Sequence, residues 1–211
     1  MKSTKYALAM ALALVALLAP SPIRADSVYN NFGPPGNSYV AGTGWLVSGW
    51  ELAMPFTSSG NYTLSQIDLA LSSQLGGNAT VTLDSDSGGL PGGVLETWNL
   101  TNLPDFGTCC SVQTVLSSGS IGLSAGTQYW LVASGASDSF ILWNYNETGA
   151  MGQLAYNPGS GFIFDGVSPM ALGAFDVQGT PAAVPEPSSL LLLGTALLGL
   201  VLGGICLNHR G

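Results

Sequence analysis

Apolar positions follow three regimes along this chain, and only the middle one alternates. Residues 6–19 form an unbroken apolar block, and residues 190–207 form a second, relieved only by Gly and one Thr. Between them the apolar residues come in short segments of period two, the signature of half-buried strands. Residues 62–71 place Ile67, Leu69 and Leu71 on one face and Gln66, Asp68 and Ala70 on the other. Val81 and Leu83 share a face in 79–83, Trp98 and Leu100 in 94–100, and the pair Tyr129 and Trp130 lies in 127–133. Further segments at 140–145, 162–164 and 172–177 complete the set, separated by turn clusters at 75–78, 84–93, 117–120 and 157–161. No segment carries a 3.6-residue apolar period. The pattern predicts an all-β fold, a β-sandwich of jelly-roll or immunoglobulin-like topology, flanked by an N-terminal signal helix and a C-terminal transmembrane helix.

The two apolar blocks differ in what they imply. Lys2 and Lys5 precede the first, Pro20 and Pro22 end any helix there, and Ala25 offers a small residue for cleavage before Asp26. Fourteen apolar residues are too few for a permanent span of roughly 30 Å of hydrocarbon, so residues 1–25 read as a signal peptide. The second block, bounded by Leu190 and Leu207, has eighteen residues and is long enough as a helix to approach the bilayer thickness. His209 and Arg210 follow within the short basic end, 208–211, and should stay on the cytoplasmic side.

Just before that block stand Pro185, Glu186 and Pro187, in a linker-like stretch over 180–189. The order of Pro-Glu-Pro, one apolar helix and a basic end resembles the PEP-CTERM sorting signal of bacterial surface proteins. The resemblance implies recognition at Pro185, Glu186 and Pro187 by an exosortase-type membrane protease. It implies an inner-membrane intermediate, then release to the cell surface or extracellular matrix. Two prolines also keep the segment extended, which leaves its backbone accessible to a protease.

Charge changes the picture of the body. All twelve acidic residues lie between Asp26 and Glu186, and no Lys, Arg or His does. Such a body cannot neutralise phosphates, which excludes nucleic acid as a partner. It has no partners for buried ion pairs, so the acids are expected mostly in solvent.

The segments NFGPPGNSYVAGTGWLVSG, YTLSQIDLALSS, DSDSGGLPGGVLE, GTQYWLVAS and ILWNYNETG occur in that order over residues 28–179. Together they resemble the choice-of-anchor domains, type R, which makes 26–179 the expected domain. That resemblance implies placement at the surface or in the extracellular matrix and carries no catalytic residues.

Three local features suggest chemistry. Asp84, Asp86 and Gly88 give D-x-D-x-G, the front half of a calcium loop, without the bidentate Glu at its twelfth position; a solvated turn is the plainer reading. Cys109 and Cys110 are adjacent, which leaves a vicinal disulfide, an intermolecular bridge or two thiols as alternatives. Trp45, Trp50, Trp143 and Tyr145 lie in loop-flanked polar settings suited to stacking on sugars.

With no His or Lys in the body, nucleophile–base catalysis of the Ser-His or Cys-His kind has no base. The chain is therefore expected not to be an enzyme and to need no cofactor, calcium being the one candidate. The expected role is structural or adhesive. The alternatives are a carbohydrate-binding module whose partner is exopolysaccharide, and a glycoside hydrolase using a carboxylate pair drawn from Glu51, Glu96, Glu147 and the aspartates.

Overall fold

The computed structural model describes residues 25–74, 76–166, 169–182 and 194. Outside them lie the expected signal segment short of Ala25, the Pro185-Glu186-Pro187 motif, and the run from Leu190 to Leu207 apart from Gly194. Among the described residues no helix is long and apolar enough to cross a membrane. The chain divides into two units, Met1–Pro181 and Ala182–Gly211, and every strand among the described residues belongs to the first.

The described part of that unit is nearly all β, and its named strands all pair antiparallel. One sheet orders β1 (Asp26–Asn30), β16 (Phe175–Pro181), β4 (Tyr62–Leu69) and β8 (Gln113–Leu116), with β9 (Gly122–Leu123) also on β4. A second runs β14 (Ile163–Phe164), β13 (Ala155–Asn157), β3 (Glu51–Thr57), β10 (Gln128–Gly135), β6 (Ala79–Ser87) and β7 (Leu90–Leu100). A third joins β2 (Tyr39–Leu46), β11 (Ile141–Asn146) and β5 (Leu71–Ser73), and a small fourth pairs β12 (Met151–Gly152) with β15 (Met170–Ala171). Register shifts at Ser27/Tyr29, Leu83/Asp84, Asn144/Tyr145 and Gln178/Gly179 curl these sheets, as bulges do.

Alternation explains which side chains meet. Leu64, Ile67 and Leu69 of β4, Phe175 and Val177 of β16, Met54 and Phe56 of β3, and Leu131 of β10 belong to one buried cluster. Trp143 of β11 is fully buried in the same cluster. The opposite face of the second sheet is covered too: Ala53, Trp130, Val132 and Ala155 form a separate cluster against Leu90 and Phe162. Residues of β3 and β10 are thus buried on both faces, which is why Leu52, Ala53 and Met54 read as a continuous apolar run without alternation. Pro55 sits in β3 where β13 has already ended at Ala53, so one side of the strand has no partner to miss its N–H.

Three expectations are corrected. The segment 84–93 is mostly strand: β6 runs through Asp84 and Asp86 to Ser87, and β7 starts at Leu90. Only Gly88 and Gly89 turn, both at positive φ (66° and 89°), the backbone of a two-residue hairpin whose twist matches its strands. Thr180 and Pro181, expected in a linker, end β16 opposite Thr63 and Tyr62. Trp143 is core and cannot face a ligand.

Most of the described acids stay out of the core as expected, but Asp68, Asp84 and Asp176 are buried, at 4%, 3% and 5% exposure. Neutral donors replace the absent cations. Thr82 donates to Asp84 at 2.7 Å, Thr114 to Asp68 at 2.6 Å, and Ser27 to Asp176 at 2.9 Å.

Candidate functional site

The connection from β2 to β3 is held tightly and presents one large side chain. Val47 N–H donates to the Ile141 carbonyl and Gly49 N–H to that of Gly135, while the Val47 carbonyl accepts from Gly135 N–H. These bonds tie the turn to the ends of β10 and β11. Trp50 emerges from it 45% exposed, with its indole N–H donating to the Leu46 carbonyl at 2.9 Å. The ring is pinned by its edge, while nearly half of the residue is left to solvent.

Recesses flank this indole. One, of about 450 Å³, has Trp45, Leu46, Trp50, Leu52, Tyr156 and Asp165 as its lining. A second, more polar recess of about 440 Å³ is lined by Trp50, Glu51, Ser134, Ser137 and Asn157 among others. A third, of about 310 Å³, shares Ser134 and Gly135 with the second and adds Asn78, Thr80 and Asn99. Trp50 is thus common to the first two recesses and the Ser134–Gly135 pair to the last two, and these neighbouring recesses around the sheet end are together called the trough.

The polar groups in it are oriented before any ligand arrives. Asn157 Nδ2 donates to Glu51 Oε2 at 2.7 Å, while Asn157 Oδ1 accepts from the backbone of Gly159 and Gly161 at 2.8 and 2.9 Å. Trp45 N–H donates to the Ala171 carbonyl at 2.7 Å, and its ring meets Tyr145 edge-on at 5.5 Å. Of the four aromatics singled out in the sequence, Trp50 and Trp45 line the trough, Tyr145 supports Trp45, and Trp143 is core. Tyr156, Asn157 and Asp165 had no signal of their own, because β13 and β14 reach β3 only through tertiary pairing.

The other candidates are placed elsewhere. Asp84 and Asp86 stand on one face of β6, two residues apart. Burial raises the Asp84 pKa and the nearby Glu51 charge adds to this, against the Thr82 hydrogen bond. Asp86 is held below the usual aspartate range by the Trp130 indole N–H at 2.8 Å, with Gly89 N–H and Gln128 as further donors. Among the described residues no group of three or more His, Cys, Asp or Glu is placed to hold a metal ion. Cys109 and Cys110 are joined to each other, and Cys109 Sγ lies 3.6 Å from the Tyr39 carbonyl. Ala25 is exposed, and Asp26 opens β1 opposite Gly179.

Several of the glycosidase candidates accept structural hydrogen bonds. Glu96 accepts from Ser117 Oγ at 2.6 Å and Ser118 N–H at 2.7 Å, and Glu147 from Ser38 at 2.7 Å. Asp68 and Asp176 are directly opposed across β4 and β16.

Residues 183–204 match the PEP-CTERM protein-sorting motif, a stretch that includes Pro185, Glu186 and Pro187. The motif implies export through a membrane-anchored intermediate and processing by an exosortase. No curated protein matches the chain.

Proposed function

We propose that this chain is a bacterial surface protein whose body, once exported, is a β-sandwich with a structural or adhesive role at the cell surface or in the extracellular matrix. The observation that carries this reading is the sorting motif at 183–204, standing behind a body without a single cationic side chain. The sandwich is supported by the apolar cluster to which both larger sheets contribute. The choice-of-anchor resemblance over 28–179 belongs to the same reading. An adhesive role is favoured by β7, an eleven-residue strand that ends its sheet. Its Val94 is 58% exposed, and Leu116 on β8 is 69% exposed. A long edge strand with exposed apolar side chains is a ready template for association. A non-catalytic body is supported by the way donors occupy its buried carboxylates, and by the lack of any His or Lys to act as a base.

Intact-mass measurement of the exported form tests the sorting. The expected species begins at Asp26 and ends before Leu190. Replacing Pro185, Glu186 and Pro187 together by Ala should leave the chain membrane-bound with residues 190–207 still attached. A wild-type exported species that ends beyond Leu207 would overturn the reading.

A further inference from the structure

We propose that the trough centred on Trp50 binds a neutral glycan chain, with the Trp50 indole as the stacking platform. This rests on the surface placement above but names the partner of one site. The first support is rigidity. With its N–H committed to Leu46 and its turn tied to Gly135 and Ile141, the ring loses little freedom when a flat ligand covers it. An indole face carries partial negative charge and attracts the weakly positive C–H face of a pyranose ring.

The second support is the mixed lining around Trp50. Trp45 and Tyr156 line one recess at this indole, and hydroxyls, an amide and a carboxylate from Ser134, Ser137, Asn157 and Glu51 line the other. A sugar presents the same mixture, an apolar face with a rim of hydroxyls that both donate and accept. Asn157 and Glu51 already hold each other in a fixed orientation, and a bidentate acceptor such as Glu51 suits vicinal hydroxyls.

The third is charge. Glu51 and Asp165 lie in the walls, and no Lys, Arg or His stands anywhere between Asp26 and Ala182. A uronate or phosphate group would enter against like charge with no counter-ion, so the ligand is neutral. The fourth is length. Recesses that share walls at Trp50 and at Ser134–Gly135 suit a linear chain better than a single sugar, and each alone is of small-ligand size.

The test is a tryptophan-fluorescence titration of the full chain in a zwitterionic detergent, since alkyl glycosides would compete. The probes are cellohexaose, laminarihexaose, maltohexaose and mannohexaose, with oligomannuronate as the anionic counterpart. At least one neutral hexaose should quench saturably and bind more tightly than its disaccharide, and oligomannuronate should not bind. Trp50→Ala should weaken binding at least tenfold, Trp50→Phe should keep most of it, and Trp98→Phe should change nothing. A flat response to all four neutral hexaoses, or equal titrations of Trp50→Ala and wild type, overturns the proposal. So does tighter binding of oligomannuronate. Each of these outcomes leaves the sorting untouched, because that is read from the mass of the exported species.

Discussion

Gly173→Ala should lower the thermal midpoint of the protein by about 6–12 °C, the equivalent of about 3 kcal/mol in a body of this size. The backbone of Gly173 lies on the Trp143 indole, and a Cβ there would overlap Cδ1, Cγ and Nε1 of that ring. Neither partner has room to retreat. Trp143 is fully buried, donates to the Ala174 carbonyl at 3.1 Å and meets Phe175 at 5.9 Å. The Gly173 carbonyl accepts from Asn31 Nδ2 at 2.9 Å, and its neighbours Leu172 and Ala174 bond to Ala150 and Asn144. Overpacking a site that cannot relax falls at the upper end of its usual cost. Gly122→Ala is the control: nothing lies within 4 Å of its Cβ, so the midpoint should hold or rise slightly. Combining Gly173→Ala with Trp143→Phe should cost less than the two changes added, since the smaller ring makes room. Differential scanning fluorimetry of these variants decides it, and equal midpoints for Gly173→Ala and Gly122→Ala would show that the glycine carries no packing role.

That contact shows where sequence reading stops. Trp143 stood in the sequence among Asn and Tyr, a setting that suggested a surface aromatic, and nothing in ILWNYNETG says that Gly173 will close over it. Strands with one apolar and one polar face were legible, because Ile67 and Leu69 alternate with Gln66 and Asp68. β3 was not, since both of its faces are buried and Pro55 argues against a strand. The D-x-D-x-G run looked like a loop because Asp and Gly favour turns, yet the turn needs only Gly88 and Gly89. The same limit holds at the trough. Trp50 could be picked out as a lone aromatic beside Gly49 and Glu51, but Tyr156 and Asn157 arrive by pairing of β13 with β3, and Asp165 through its N–H bond to the Leu154 carbonyl. Pairings between distant strands also decide the fate of the acids, and this leads to an unusual pH response.

Acidification from pH 7 towards 4 should stabilise this protein, the reverse of ordinary acid denaturation. Asp176 and Asp68 face each other in register, both buried, with Gln66 and Gln178 as flanking donors. Like charges directly opposed across a sheet repel, and no cation relieves them. The Asp176 carboxyl is pushed up chiefly by burial and further by the Asp68 charge, against hydrogen bonds from Ser27 and Gln178. Asp84 is raised in the same direction. A carboxyl whose pKa is higher in the folded than in the unfolded chain binds its proton more tightly when folded. Its ionised form therefore lowers stability at neutral pH. That loss is recovered as pH falls through the raised pKa and is fully recovered below the ordinary aspartate value of 3.8. Asp86 runs the other way: its lowered pKa contributes stability above 3.8 that is lost below it, so the optimum should lie on the acid side, near pH 4. General repulsion among twelve acids would give the same sign, and a matched pair of variants separates the two causes. Asp176→Asn and Asp138→Asn each remove one charge, the first from a buried site and the second from an exposed one. At pH 7 the buried change should raise the midpoint by a few degrees, each 1 kcal/mol appearing as about 2–4 °C, and should flatten the rise on acidification. The exposed change should leave the midpoint within about 1 °C, because surface substitutions rarely exceed 0.5 kcal/mol. Equal shifts from both variants would assign the effect to overall charge. A midpoint that falls steadily from pH 7 to 4 would mean that the opposed carboxylates cost the fold nothing.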